Sequence, residues 1–143
     1  MKALVVDDSD VVRAHYREYL KPLGFTEIVE STDGFEAMSA LKDFEPDVVF
    51  LDWNMPNMTG LQFLKKVRPT HPDLPIIMVT AQGGERLVMN AIKAGVTDYV
   101  LKPFNATVLA DRLKNMRERQ QRCLLYTSPS PRDQRGSRMP SSA

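Results

Sequence analysis

The chain has 143 residues, 43% of them hydrophobic, with a formal charge of +1 and one cysteine. That length buries one core and is too short for two ordinary domains, and no run approaches the roughly 18 apolar residues that span a bilayer, nor does a basic segment precede an apolar signal core, so the expectation is a cytoplasmic protein without membrane insertion. Cys123 has no companion at disulfide or zinc-ligand spacing, and residues 123–143 contribute +2, which leaves −1 on residues 1–122 and no Arg/Lys stripe for nucleic acid.

Strand and helix patterns alternate five times. Residues 2–6 read as the first strand, and Ser9 is placed to cap a helix with apolar positions Val12, Tyr16, Tyr19, Leu20 and Leu23, closed by Gly24. Residues 26–31 form a second strand, less apolar and therefore expected at a sheet edge, followed by a helix with Phe35, Met38, Leu41 and Phe44 on its inward face. Residues 48–52 are the third strand, and Leu61, Phe63, Leu64 and Val67 mark a helix that Pro69 stops. Residues 76–80 are the fourth strand. A helix with Leu87, Val88, Ala91 and Ile92 inward follows it, beginning after a loose Gly83-Gly84 and ending at Gly95. Residues 98–101 are the fifth strand, and the last helix covers about 107–122 with Val108, Leu109, Leu113 and Met116 apolar. Five such units imply an α/β fold, a doubly wound five-stranded parallel sheet flanked by five helices.

Beyond Arg122 the composition changes abruptly, and residues 123–143 read as a disordered tail. The string CLLYTSPSPRD looks like the in-frame translation of a transposase adapter used in sequencing libraries, so no function is expected of this segment.

The chemistry gathers at strand ends. Asp7 and Asp8 end the first strand and Asp52 the third, while Thr80 and Lys102 follow the fourth and fifth. In open α/β sheets these ends border the ligand crevice. Three carboxylates there would repel one another without a cation, and hard oxygen donors beside a phosphate match Mg²⁺. With the metal bound, Asp52 can attack a phosphoryl group, and the Lys102 ammonium, the Thr80 hydroxyl and the backbone N–H of Ala81 can hold the transferred oxygens. Met alone, each of these residues would be an ordinary cap, loop acid or solvated side chain. Their joint placement is what carries the reading.

Residues 1–122 resemble the receiver domains of two-component response regulators, most closely those of the CheY-like chemotaxis kind, with a flavodoxin-like fold. The resemblance rests on Asp7-Asp8, on Asp52-Trp53-Asn54-Met55-Pro56-Asn57-Met58 with Gly60, on Thr80-Ala81, and on Tyr99-Val100-Leu101-Lys102-Pro103-Phe104. It implies that Asp52 is the phosphoacceptor, with Asp7, Asp8, Asp52 and the Asn54 backbone carbonyl as Mg²⁺ ligands and Thr80 and Lys102 as phosphate-sensing groups. It also implies a cis Lys102-Pro103 peptide, a switch through Thr80 and Tyr99 that reshapes the face of the fourth helix, fifth strand and fifth helix, and a phosphate lifetime tuned at Asn54 and Gln82. Gln82 stands where CheY-like proteins often carry an acid. The partners so implied are a sensor histidine kinase as phosphodonor and a downstream target protein on the switch face. The alternative is the N-terminal receiver of a truncated regulator that has lost a DNA-binding or enzymatic output domain.

Other classes fit less well. An aspartyl-phosphate phosphatase would need its nucleophile on the first strand, where Asp8-Ser9-Asp10 offers Asp-x-Asp only formally, in a chain without room for a cap. A nucleotide or flavin site would need a Gly-rich loop where Asp7-Asp8-Ser9-Asp10 stands. The complete set of acids, Thr and Lys argues against a degenerate receiver that only binds proteins. A self-phosphorylating module, not a turnover enzyme on external substrates, is therefore expected.

Overall fold

The computed structural model describes residues 1–55 and 57–127, with side chains to residue 119. Its sheet has five strands, β1 (Lys2–Val6), β2 (Glu27–Ser31), β3 (Val48–Asp52), β4 (Ile76–Thr80) and β5 (Asp98–Leu101), all parallel and in the flavodoxin-like order β2-β1-β3-β4-β5. The central strands β3 and β4 are buried at every residue and β1 at all but Lys2, as expected where helices cover both faces of a parallel sheet. Strand β2 does lie at an edge, and its middle residues are only partly buried.

Five helices follow the strands: α1 (Asp10–Leu20), α2 (Gly34–Ala40), α3 (Gly60–Val67), α4 (Glu85–Ala94) and α5 (Ala106–Thr127). By internal contacts the chain groups into two units. Met1–Arg112 holds the sheet, α1 to α4 and the start of α5, and Leu113–Ala143 holds the remainder, of which α5 through Thr127 is described.

Local chemistry explains where the helices begin. The Ser9 hydroxyl accepts from the Val12 N–H, the Asp33 carboxylate accepts from the Glu36 N–H, and Thr59 with Gln62 forms a capping box. Helix α1 stops at Leu20, earlier than Gly24 marks, because Pro22 sits in a 3-10 turn over Lys21–Leu23 that Gly24 then closes at φ +96°. Gly95 ends α4 at φ +114°, a conformation that costs a residue with Cβ. Helix α5 continues past Arg122 because no breaker intervenes before Pro129. The rest of the expected tail, residues 128–143, lies outside the described residues.

Three expected core positions are corrected. Phe35, Leu61 and Ile92 are 58%, 36% and 53% exposed. Each lies off the face that turns inward, which is formed by Ala37 and Met38 in α2 with Leu41 just after it, by Phe63, Leu64 and Val67 in α3, and by Leu87, Val88 and Ala91 in α4. On one sheet face Leu4, Val6, Val49, Leu51, Ile76 and Met78 pack in this cluster. The opposite face carries Val5 and Phe50, and Tyr16 of α1 packs on Phe50.

Candidate functional site

The strand order reverses between β1 and β3, and there the crevice opens. Val6 pairs with Leu51, so the next residues of the two strands, Asp7 and Asp52, leave the sheet side by side. Asp8 follows on the exposed rim. Carboxylate oxygens of Asp7, Asp8 and Asp52 lie within 4.8 Å of one another, a group able to hold a metal ion.

Fixed donors hold the two buried acids. Asp7 Oδ1 accepts from the Ser9 N–H at 2.9 Å, and its Oδ2 accepts from Lys102 Nζ at 2.9 Å. The Arg13 guanidinium donates to the Asp7 backbone carbonyl at 2.6 Å, which ties the start of α1 to the end of β1. Asp52 Oδ1 lies 3.4 Å from Lys102 Nζ and 3.4 Å from the Asn54 N–H. Lys102 thus bridges both acids. Burial, and next the charge of Asp7, push the Asp52 carboxyl up from 3.8 to about 6, with Lys102 and the Asn54 N–H pulling the other way. For Lys102, burial works to lower the pKa, but the two carboxylates outweigh it and hold the ammonium above its ordinary range.

Thr80 is fully buried at the end of β4, and its Oγ accepts from the Gln82 N–H at 3.1 Å. The Lys102 N–H donates to the Thr80 carbonyl at 2.8 Å, joining the two strand ends. The Lys102-Pro103 peptide is cis. Asn54 is exposed directly after Asp52 and Trp53. The Trp53 ring lies against α3 so closely that a Cβ on Gly60 would come within 2.4 Å of it.

Tyr99 is not part of the acid cluster. Half-buried on β5, it lines a groove of about 540 Å³ with Val88, Met89 and Leu101, and the Arg112 guanidinium stands 5.9 Å from its ring centre. Met89 and Leu101 are 49% and 46% exposed there. The structure therefore brings Asp7, Asp8, Asp52, Thr80 and Lys102 to one edge and leaves Tyr99 on an adjoining apolar surface.

Sequence reasoning missed one group beside this site. Tyr16 reads as an apolar helix position, yet among the described residues its buried hydroxyl has no hydrogen-bond partner. No spacing rule signals a hydroxyl whose surroundings come from β3 and from the segment after β5.

No helix among the described residues is long and apolar enough to cross a membrane. Residues 3–114 match the response regulator receiver domain. A chemotaxis protein CheY homolog of Campylobacter jejuni is 44% identical over 119 residues, covering 81% of this chain and 92% of that protein. The structure of chemotaxis protein CheY4 of Vibrio cholerae superposes with a TM-score of 0.75 at 34% identity, covering 80% of this chain and 96% of that one. NtrX of Brucella abortus gives a TM-score of 0.75 at 30% identity, covering 87% of this chain and 29% of that one.

Proposed function

Because the chain belongs to the response regulator receiver family and is a CheY-like receiver of two-component signalling, we propose that Asp52 accepts a phosphoryl group from the phosphohistidine of a sensor kinase. One observation carries this reading: three carboxylates lie within 4.8 Å of one another, and a lysine from a different strand bridges the two buried ones. An Asp52 oxygen attacks phosphorus, the P–N bond to the histidine breaks, and the imidazole leaves with its electron pair.

The donor set fits Mg²⁺, since hard carboxylate oxygens on a crevice rim suit that ion and a cation relieves the burial of Asp7 and Asp52. Asp7, Asp8, Asp52 and the Asn54 carbonyl would hold it, and when bound it supplies positive charge to the phosphoryl oxygens. Lys102 is poised to move from Asp52 Oδ1 to a phosphoryl oxygen while it keeps Asp7. Thr80 uses its Oγ as an acceptor from Gln82, which leaves its proton to donate to another phosphoryl oxygen.

The output surface on this reading is the groove of α4 and β5 with the start of α5. Movement of Thr80 toward the phosphoryl group and rotation of Tyr99 reshape it for a downstream target protein. We assign this function to residues 1–122 and none to residues 123–143, a division supported by the composition change and by a family match that ends at residue 114. The match to less than a third of NtrX supports a second reading, in which such a receiver heads a longer regulator. Sequencing the parent gene past Arg122 decides between them.

The test uses Trp53, adjacent to Asp52. Titration with Mg²⁺ and then acetyl phosphate should change its fluorescence and add one phosphate to the intact mass, and Asp52→Asn should abolish the adduct. A wild-type chain that gains no adduct refutes the reading. Tyr99→Ala should leave the adduct intact while weakening capture of the target by the phosphorylated chain, and unchanged capture would remove Tyr99 from the switch.

A further inference from the structure

Residues two apart on a strand share a face, so Phe50 and Asp52 point to the same side of the sheet, as do Val5 and Asp7. That side is the one on which α1 packs. The Tyr16 ring lies on Phe50 at a centroid distance of 5.3 Å and on Phe104 at 4.9 Å. It is therefore wedged between the strand that presents Asp52 and the segment that presents Lys102.

Tyr16 is fully buried, and among the described residues its hydroxyl has no hydrogen-bond partner. Leaving such a group unsatisfied carries its full desolvation penalty, and phenylalanine would pack there without it. Long side chains on a helix lean toward its N-terminus, and α1 begins directly after the Asp7-Asp8-Ser9 turn. After burial itself, the charges of Asp7 and Asp52 are what push the Tyr16 hydroxyl well above its ordinary pKa, so both acids lie within electrostatic reach of it.

Building on the phosphoacceptor reading, we propose that Tyr16 is a positioning residue of the acid site, its hydroxyl donating to one ordered water that in turn donates to Asp7 and to Asp52. The water then has three polar partners, the usual number for a buried one. Lys102 fixes the two carboxylates from the crevice, and Tyr16 fixes them from the interior. A group that orients metal-binding carboxylates in this way governs metal affinity without touching the metal.

The experiment is a double-mutant cycle in the full chain, with Tyr16→Phe, Asp7→Asn and the pair unfolded by urea in EDTA, followed by Mg²⁺ titration of the Tyr16→Phe chain through Trp53. Tyr16→Phe should lower the urea midpoint, by less than half as much when residue 7 is already Asn, and should weaken Mg²⁺ binding about tenfold. A Tyr16→Phe chain as stable as wild type, a loss of equal size in both backgrounds, or an unchanged Mg²⁺ affinity makes the hydroxyl a packing group and overturns the proposal. The cycle is read without metal or phosphate. Failure of the phosphoacceptor reading would appear separately, as a wild-type chain that takes up no phosphate.

Discussion

Asp52 is held at a pKa of about 6 by burial first and Asp7 second, against an ordinary 3.8. The unfolded chain gives up this proton near pH 4 and the folded chain near pH 6, so between those values the folded state binds more protons and stability falls as pH rises. Above pH 6 the full penalty is in place, on the order of 2–3 kcal/mol for a shift of this size. Asp52→Asn, which cannot ionise, should therefore be more stable than wild type by on the order of 2 kcal/mol at pH 7.5 without Mg²⁺. That advantage should shrink toward zero as pH falls through 6 to 4. Urea midpoints of both proteins at pH 7.5 and 4.5 measure it, and equal midpoints at pH 7.5 would mean that the carboxylate is fully compensated by Lys102. What the sequence shows at this scale is the set of residues at strand ends, because a strand delivers its last side chain to the edge whatever the rest of the fold does. It does not show that Lys102 rests on Asp7 Oδ2, or that the Tyr16 hydroxyl is buried without a partner among the described residues, because those facts depend on packing between separate elements.

The elements themselves were legible to different depths. Strands β1, β3 and β4 fall on the residues that their apolar runs mark, since burial on both faces demands nearly uninterrupted apolar residues, and β5 falls on residues 98–101 as a partly exposed edge strand. Helix faces are less legible in the sequence. Phe35 and Ile92 are apolar yet exposed, since they lie off the inward faces that Ala37 and Met38 form in α2 and Leu87, Val88 and Ala91 form in α4. Gly83-Gly84 predicts a loose start for α4, and the structure gives this a physical form. Gly84 is the N-cap residue, in extended backbone at φ −179°, and makes no side-chain cap hydrogen bond to the helix. A Cβ on Gly84 would meet nothing within 4 Å, whereas one on Gly83 would come within 3.0 Å of Leu101. Gly84→Asp should thus cap α4 and complement its dipole, adding about 0.3–1 kcal/mol, or roughly 1–5 °C in the thermal midpoint. Gly83→Ala should give no such gain. Thermal unfolding of the two variants beside wild type tests this, and equal gains in both would trace the effect to loss of glycine flexibility instead of capping.

At the scale of the whole molecule, ligand binding and folding are linked, because only the folded chain brings the Asp7-Asp8 pair to Asp52, more than 40 positions further along the sequence. Mg²⁺ at ten times its dissociation constant should then stabilise the fold by about 1.4 kcal/mol, worth roughly 3–8 °C for a domain of this size. Asp7→Asn and Asp52→Asn should each blunt that rise, since each removes a carboxylate from the cluster. The same comparison tests the division of the chain. Residues 128–143 carry a charge of +2 and no apolar periodicity, and surface charge acts over only about 8 Å at physiological salt. A chain ending at Thr127 should show the same Mg²⁺-induced rise as the full chain, to within about 1 °C. Differential scanning calorimetry of both chains with Mg²⁺ and with EDTA makes the measurement. A rise that disappears on truncation would mean that the C-terminal segment takes part in the metal site, and the assignment of function to residues 1–122 would then be wrong.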